Sequence, residues 1–415
     1  MILKAGRYKS FVIRRKILCC LLDGYGDVRY GELGRKTPLE YAETPFFDAL
    51  LAGGTCGFME PVGLGREVPI TDASTMTFSF LGYDARKFPH GRGIIEAIGE
   101  GMRVRDGDFA ARCNFATVSQ DGTITDLRAG RIRDTKELET ALNGMPFPVP
   151  FEFRATAGHR GIAVFRSGKN RRFSEDITSV DPHVVGRKIM RAKPLKPSAK
   201  KTADLVNLFV ERSREALAAS PFNKKRKARG LPPANALLPR GFSAKVPRLE
   251  PFPEKYGVRA CGVTGVAINR GICKLLGIPI SRVDEDVGNN TKEMEMKRKP
   301  TLGALRNYDF VFLHFKTIDM AGHDGDLWRK VSEIERTDAF LGGLPLDGAV
   351  VAVGADHCTP CKIGGHSTDA IPYLFGTPDK GARGGRKFGD SECARGKRIK
   401  QYDFVGEVLK AASRR

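Results

Sequence analysis

Short apolar runs that end in glycine or aspartate and lead into helical patterns recur along the chain. ILCCLLDG is followed by YAETPFFDALLAGG, and YDFVFLHFKTID is followed by DLWRKVSEIERTDAFLGGL and then by GAVVAVGADH. A repeated order of strand and helix predicts an α/β core. Uninterrupted apolar strands such as VVAV favour a mostly parallel sheet with helices on both faces, because such strands are buried on both sides.

The middle of the chain has a different pattern. Shorter alternating runs, ARCNFATVSQDGTITDLRAGRI and FEFRATAGHRGIAVFRSG, are separated by turn signals such as DG and SG. A chain of 415 residues also exceeds the size at which one core usually stops growing. We therefore predict an α+β domain over residues 104–186, inserted into a main domain formed by residues 1–103 and 187–415.

Composition excludes a membrane protein. The hydrophobic share of 41% and the charged share of 28% are typical of soluble globular proteins, and no run approaches the roughly 18 apolar residues of a membrane helix. The nine cysteines are scattered and odd in number, with no apolar signal segment ahead of them, which favours a reducing cytoplasm. The basic opening, MILKAGRYKSFVIRRK, weakly resembles an organelle-targeting peptide, but we interpret it as an N-terminal extension leading into the first strand.

The net charge is 69 minus 48, or +21, and the basic residues are concentrated between the apolar runs. Examples are RSGKNRR, RAKPLKPSAKK and NKKRKARG, which we interpret as solvated loops. An alternative is a nucleic-acid-binding protein that keeps the fold as a scaffold. We expect no nucleic-acid partner, because the chain has no recognised nucleic-acid module and few aromatic residues near the basic runs.

Acidic residues and a histidine follow three of the predicted strands. Asp23 comes after LCCLL, Asp319 after FVFLHFKTI, and the pair Asp356 and His357 after VVAVGA. Ligands collect at the carboxyl ends of the strands in such sheets, so these side chains are expected to lie in a functional site.

Two more histidines complete a candidate metal site. His323 follows Asp319 by four residues, so one helical turn would put both side chains on one face, and His366 follows nine residues after His357. Mixed carboxylate and imidazole ligands favour Mn or Zn over Ca, and a pair of such ions can hold a phosphoryl group during transfer. The alternative is that each residue caps or packs locally. Clustering disfavours it, since four of the seven histidines lie within 53 residues: His314, His323, His357 and His366.

Phosphoryl transfer needs an acceptor, and EVPITDASTMTFSFLGYD offers hydroxyl groups where a loop enters a helix. Helix N-terminal amides favour an anion there, and a bound metal lowers the pKa of a hydroxyl group. Thr71, Ser74 and Thr75 all qualify by residue type. Alternatively, Thr71 or Asp72 only caps the helix.

Long motifs carry a resemblance to a known family. They are DGYGD, GRKTPLEYAETP, ARCNFATV, LRAGRI, DPHVVG, RGLPPANALLPRG, TIDMAGHDGD and GADHCTPCKIGGHS. The chain resembles the archaeal-type cofactor-independent phosphoglycerate mutases of the alkaline phosphatase superfamily over nearly its whole length. The resemblance implies interconversion of 3-phosphoglycerate and 2-phosphoglycerate through a phosphoenzyme, without bisphosphoglycerate. It also implies an inserted substrate-binding or lid domain and two divalent ions, with Mn or Zn favoured over Mg or Co.

The resemblance divides the metal ligands into two sets. One ion would be held by Asp319, His323 and His366, and the other by Asp23, Asp356, His357 and the nucleophile. The nucleophile of the family is a serine in a PGSD-like motif, where this chain has PITD. Thr71 takes that place, but two extra residues precede Leu81, and a count back from LGYD reaches Ala73 or, with a slip of one, Ser74. We favour Thr71 as nucleophile and metal ligand, with Ser74 as the alternative and a chain without a working nucleophile as a third reading.

The resemblance also implies a set of substrate-binding residues. They are Arg92, Arg112, Asn114, Arg131, Arg240 and, in the segment GHRGIAVFR, His159 and Arg160. A guanidinium group binds phosphate or carboxylate through two parallel hydrogen bonds, although each arginine could instead form a surface or cross-domain ion pair. The rival function is a metal-dependent phosphomonoesterase, or a related phosphotransferase acting on another small phosphorylated substrate.

Overall fold

The computed structural model describes residues 11–89, 91–169, 171–284, 290–378 and 385–413. The chain divides into two compact units. We call Met1–Phe88 with Arg248–Arg415 the core unit, and Pro89–Pro247 the inserted unit. Most of the predicted N-terminal extension, residues 1–10, lies outside the described residues.

The strands of the described residues follow one another as β1 Ile17–Leu22, β2 Gly54–Glu60, β3 Phe109–Val118, β4 Ile124–Asp126, β5 Phe151–Ala155, β6 Arg160–Phe165, β7 Ala236–Ser243, β8 Ala260–Thr264, β9 Ile280–Arg282, β10 Phe310–Phe315, β11 Val350–Gly354, β12 Ile371–Gly376 and β13 Lys397–Lys400. The helices are α1 Pro38–Tyr41, α2 Pro45–Ala52, α3 Thr77–Phe80, α4 Arg92–Gly99, α5 Lys136–Asn143, α6 Lys200–Ala219, α7 Pro221–Ala228, α8 Phe252–Tyr256, α9 Ala267–Leu275, α10 Asn290–Asn307, α11 Thr317–His323, α12 Leu327–Gly342, α13 Asp390–Cys393 and α14 Phe404–Ser413.

The core unit is built on one sheet with the strand order β13-β2-β12-β11-β1-β10-β8-β9. From β11 to β9 every pairing is parallel, while β12 runs antiparallel to both of its neighbours. Strand β1 lies between β10 and β11, and all three are buried along their whole length. The predicted α/β class with a mostly parallel sheet is thus confirmed.

The central strands end nearly level with one another. Leu22 pairs with Phe315 of β10, and Leu21 pairs with Gly354 of β11. The residues directly after these ends therefore meet at one edge of the sheet.

The inserted unit is an antiparallel sheet with helices, as an α+β domain requires. Strands β4, β3, β6 and β5 are neighbours in that order, and β7 also pairs with β3. Aromatic rings join α6 to this sheet, with the ring of Phe209 5.0 Å from that of Phe165 and 5.5 Å from that of Phe151.

The predicted boundaries of the insert, 104–186, are too narrow. The compact unit includes α4 before β3, and α6 and β7 after residue 186. Strand β7 hydrogen-bonds with β3, and α6 supplies part of the buried aromatic core, so both elements belong to the inserted unit.

Replacing Phe209 with alanine should lower the free energy of unfolding of the inserted unit by about 3–5 kcal/mol, because it leaves a cavity in the aromatic core. Hydrogen exchange should show faster exchange in β5, β6 and α6. The matched variant Phe252→Ala, which removes a buried ring of the core unit, should instead speed exchange around β10. Equal effects of both variants on both units would contradict these boundaries.

Candidate active site

Candidate ligands lie directly beyond the central strands. Asp23 follows β1, and its N–H donates to the carbonyl of Phe315 at the end of β10 (3.0 Å). Asp356 and His357 follow β11, and all three candidate ligands are buried. The parallel register therefore brings side chains that are far apart in sequence to one edge of the sheet.

Three of these side chains converge without forming hydrogen bonds to each other. Nε2 of His357 lies 3.3 Å from Oδ1 of Asp23 and 3.6 Å from Oδ1 of Asp356. Each of these atoms is buried and has no hydrogen-bond partner within the described part of the chain. Buried polar atoms are rarely left unpaired, so a cation that accepts two carboxylates and an imidazole fits here.

A second group adjoins the first. Asp319, His357 and His366 each offer a ligand atom, and these atoms lie within 4.8 Å of one another. His323 lies next to them, with Nε2 3.0 Å from Nε2 of His366 and 3.5 Å from Oδ2 of Asp319. The geometry thus associates His357 with both groups.

Backbone and hydroxyl groups orient these ligands. Nδ1 of His323 lies 3.0 Å from the carbonyl of Gly364, and Nδ1 of His366 lies 2.8 Å from the carbonyl of Ile70. Donation from Nδ1 to a carbonyl fixes the tautomer that leaves Nε2 available to a metal. The hydroxyl of Thr359 similarly donates to Oδ1 of Asp319 at 2.6 Å.

The hydroxyl-bearing segment approaches the cluster at two points. Ile70–Met76 forms a 3-10 helix that leads into α3, and its Ile70 carbonyl is the partner of His366. At the other end, the hydroxyl of Thr77 lies 3.1 Å from Oδ2 of Asp356. Thr71 is exposed, while Ser74 is buried.

The N-cap of the 3-10 helix is Pro69 and that of α3 is Met76. The backbone of Asp72 is non-helical (φ −107°, ψ 16°) and kinks the segment Ile70–Met76, so the capping alternative stays a prediction.

The inserted unit brings most of the predicted substrate-binding residues together at one face of its sheet. Arg112 and Asn114 are two residues apart on β3 and therefore point to the same side. Arg112 pairs with Arg240 of β7, and Asn114 pairs with Arg160 of β6. We call this group, together with Arg92 of α4, the arginine face.

Arg131 and His159 are the predicted substrate residues that these pairings do not include. Arg131 lies on an exposed turn with φ 54°, and no hydrogen bond or ion pair in the described ranges joins it to the arginine face. Its assignment stays a prediction.

Known proteins resemble this chain along almost its whole length. Residues 52–223 match the sequence profile of 2,3-bisphosphoglycerate-independent phosphoglycerate mutase. A relative of that name from Methanopyrus kandleri is 38% identical over 398 residues, which cover 92% of this chain and 93% of the relative. The chain belongs to the family of 2,3-bisphosphoglycerate-independent phosphoglycerate mutases. A second relative, from Thermococcus kodakarensis, is 36% identical over 97% of this chain and 98% of its own length.

Two solved structures resemble this chain along nearly its whole length. A Pyrococcus horikoshii protein is 29% identical with a TM-score of 0.72, covering 97% of this chain and 99% of its own. The cofactor-independent phosphoglycerate mutase of Thermoplasma acidophilum is 31% identical with a TM-score of 0.59, covering 96% and 100%. Among the described residues of this family member, no helix combines the length and apolar character needed to cross a membrane.

A lysine compensates the charge of the clustered carboxylates. Nζ of Lys316 lies 2.9 Å from Oδ2 of Asp23 and 2.6 Å from Oδ2 of Asp319. Burial alone would raise the pKa of both aspartates, but the Lys316 ammonium group and the neighbouring histidines together outweigh it, and the pKa of each is lowered. Both are therefore carboxylates at neutral pH.

Burial shifts the pKa values of two further candidate ligands, Asp356 and His357. Burial, and then the charge of Asp23, raises the pKa of Asp356. Burial, and then His366, lowers the pKa of His357 to about 3, so its imidazole is neutral at pH 7. A metal ligand must be neutral imidazole or carboxylate, so a divalent cation would favour the ligating form of Asp356.

Sequence reasoning missed four residues of this site. Lys316 and Thr359 contact predicted ligands, Thr77 contacts Asp356, and Nε2 of His314 lies 3.1 Å from Oδ2 of Asp23. His314 belonged to the histidine cluster, and Lys316 precedes Asp319 by three residues, which on a helix indicates proximity. Thr77 and Thr359 carry no comparable signal.

Glu96 holds two arginines of the arginine face. Its Oε1 accepts from Nη2 of Arg92 (2.8 Å) and from Nη1 of Arg112 (2.9 Å), and all three side chains are buried. Burial alone would raise the pKa of Glu96, but the guanidinium groups of Arg112 and Arg92 lower it to about 2. Burial and nearby guanidinium groups, Arg160 first among them, also lower the pKa of His159 to about 3.

Replacing Glu96 with glutamine should lower the stability of the inserted unit by about 3 kcal/mol at pH 7, since it leaves two buried guanidinium groups without their carboxylate. A carboxylate whose pKa is lowered in the folded state contributes stability at pH values above its unfolded pKa, which is about 4.5 for Glu96. The difference from the wild type should therefore shrink as the pH falls from about 4.5 towards 2. Hydrogen exchange of the inserted unit at each pH measures this difference in stability.

Glu211→Gln is the matched control, because Glu211 forms an exposed ion pair with Arg191 and should change stability by less than about 1 kcal/mol. If the two variants have the same stability at pH 7, Glu96 does not hold the arginine face together.

Proposed function

We propose that this chain is a phosphoglycerate mutase that interconverts 3-phosphoglycerate and 2-phosphoglycerate without 2,3-bisphosphoglycerate. The observation that carries the proposal is the convergence of unpartnered ligand atoms of Asp23, Asp356 and His357 beside a hydroxyl-bearing segment. Membership of a family whose relatives bear this name gives the reaction. The enzyme is accordingly an isomerase that acts as an intramolecular phosphotransferase.

Two divalent cations, Mn or Zn in preference to Mg or Co, complete the proposed site. Asp23, Asp356 and His357 would hold one of them together with the nucleophile, and Asp319, His323 and His366 the other. His357 lies close enough to both groups to serve either. When bound, such ions neutralise the phosphoryl oxygens and lower the pKa of a nearby hydroxyl group.

The protein groups then perform the transfer. The hydroxyl of Thr71, or alternatively Ser74, attacks phosphorus and forms a phosphoenzyme, while glycerate leaves through its own oxygen. The other hydroxyl of glycerate subsequently attacks the phosphoenzyme and regenerates the enzyme hydroxyl. The proposed role of the arginine face is to bind the phosphate and carboxylate groups of phosphoglycerate by paired hydrogen bonds.

The rival function is hydrolysis of a phosphomonoester, in which water replaces the second glycerate hydroxyl. The arginine face favours the mutase, since a simple phosphatase has no need to retain the dephosphorylated glycerate.

The cytoplasm is the proposed location, supported by nine cysteines that are all free and buried.

Phosphorus NMR of the purified, Mn-loaded protein with 3-phosphoglycerate tests this function. We expect the 2-phosphoglycerate resonance to grow to equilibrium without added bisphosphoglycerate and with little inorganic phosphate. Release of inorganic phosphate without 2-phosphoglycerate would establish the phosphatase instead.

Separate alanine variants of Thr71 and Ser74 identify the nucleophile. We expect Thr71→Ala to lower kcat by about a thousandfold or more and to abolish the phosphoenzyme in intact-mass spectra, because no oxygen remains to accept phosphorus. Ser74→Ala and the control Thr75→Ala, whose hydroxyl donates to the Asp72 carbonyl, should retain both signals. Loss in Ser74→Ala alone would transfer the role to Ser74, and full activity in all three variants would show that this segment does not supply the nucleophile.

A further inference from the structure

A second basic region of the inserted unit lies outside the arginine face. It surrounds a cavity of about 540 Å³ lined by Lys169, Arg171, Arg172 and Lys201. The first three follow strand β6, and Lys201 lies in the first turn of α6. We call these four side chains the cation ring. Three of them come from the basic run RSGKNRR, for which the sequence suggested only a solvated loop.

Local hydrogen bonds fix part of the cation ring. The N–H of Arg171 donates to the carbonyl of Gly168 (3.0 Å), which closes a tight turn. Nη1 of Arg171 lies 3.3 Å from the carbonyl of Arg166. Arg171 is therefore held at the wall of the cavity, while the side chains of Arg172 and Lys201 are exposed.

The cation ring differs from two nearby basic residues, which are paired with acidic side chains. Lys196 pairs with Asp176 at 3.0 Å, and Arg166 pairs with Asp108 at 3.1 Å. Within the described parts of the chain no such ion pair involves any member of the cation ring, and no acidic residue lines the cavity. Four like charges around one concavity create a positive potential that attracts a multiply charged anion.

Three apolar side chains form much of the remaining wall, which also includes Gly168 and Thr202. They are those of Val149, Phe173 and Leu205, and the ring of Phe173 also packs against Phe109 with centroids 5.6 Å apart. Phe173 is thus held in place by the core while part of it faces the cavity. The volume lies within the range of about 300–1,000 Å³ that small-molecule sites occupy.

We propose that this cavity binds a nucleoside diphosphate. The two phosphate groups are bound by the cation ring, since guanidinium and ammonium groups bind phosphate through charged hydrogen bonds. The base lies on the apolar wall against Phe173. This site is separate from the proposed mutase residues and does not depend on their assignment.

Isothermal titration of the full-length chain with ADP, in excess Mg²⁺, tests this proposal. We expect one ADP to bind per chain, pyrophosphate to bind more weakly, and adenosine to bind weakest of the three. The variant Arg172→Ala/Lys201→Ala should weaken ADP binding by about tenfold or more. Phe173→Leu, which keeps the apolar packing, should weaken the binding of ADP more than that of pyrophosphate.

The matched control Lys224→Ala/Lys225→Ala also removes two positive charges, but from exposed positions of α7. It should bind ADP like the wild type. Equal weakening in this control would mean that ADP responds only to overall charge and would overturn the proposal. So would an absence of ADP binding, or its loss in Arg112→Ala while Arg172→Ala/Lys201→Ala retains it, because that result assigns the nucleotide to the arginine face.

Discussion

The parallel register of β1, β10 and β11 is the constraint on which the core unit depends. These strands are buried throughout and end nearly level, so Asp23, Asp319 and Asp356 gather at one dry edge of the sheet. Carboxylates brought together away from water repel each other and lose hydration, which costs free energy unless cations compensate them. The register that stabilises the sheet therefore also brings together carboxylates that need positive charge nearby.

Lys316 supplies part of this positive charge. Its ammonium group contacts Asp23 and Asp319, but the Oδ1 atoms of Asp23 and Asp356 have no hydrogen-bond partner among the described residues. The inserted unit has the complementary arrangement, in which the buried carboxylate of Glu96 joins two arginines of a strongly cationic face. One unit is thus suited to bind cations, and the other to bind the anionic groups of a small phosphorylated acid.

The fold of the core unit could be predicted because short stretches of sequence are enough to indicate its strands and helices. Each central strand is an apolar run that stops at a recognisable residue, and Asp319 and His323 lie one helical turn apart on α11. The limits of the insert could not be predicted in the same way. The periodicities of α6 and β7 fit either unit, and only the pairing of β7 with β3, more than 100 residues earlier, decides between them. Thr77 and Thr359 were missed for a similar reason, since only tertiary packing brings their hydroxyl groups to Asp356 and Asp319.

An anomalous-scattering map of crystals grown with Mn²⁺ is the decisive test of the proposed two-cation site, because it locates cations without reference to activity. We expect two peaks, one bounded by Asp23, Asp356 and His357 and the other adjoining Asp319 and His366. Manganese bound only elsewhere, with the unpartnered atoms of Asp23, Asp356 and His357 still unligated, would contradict it.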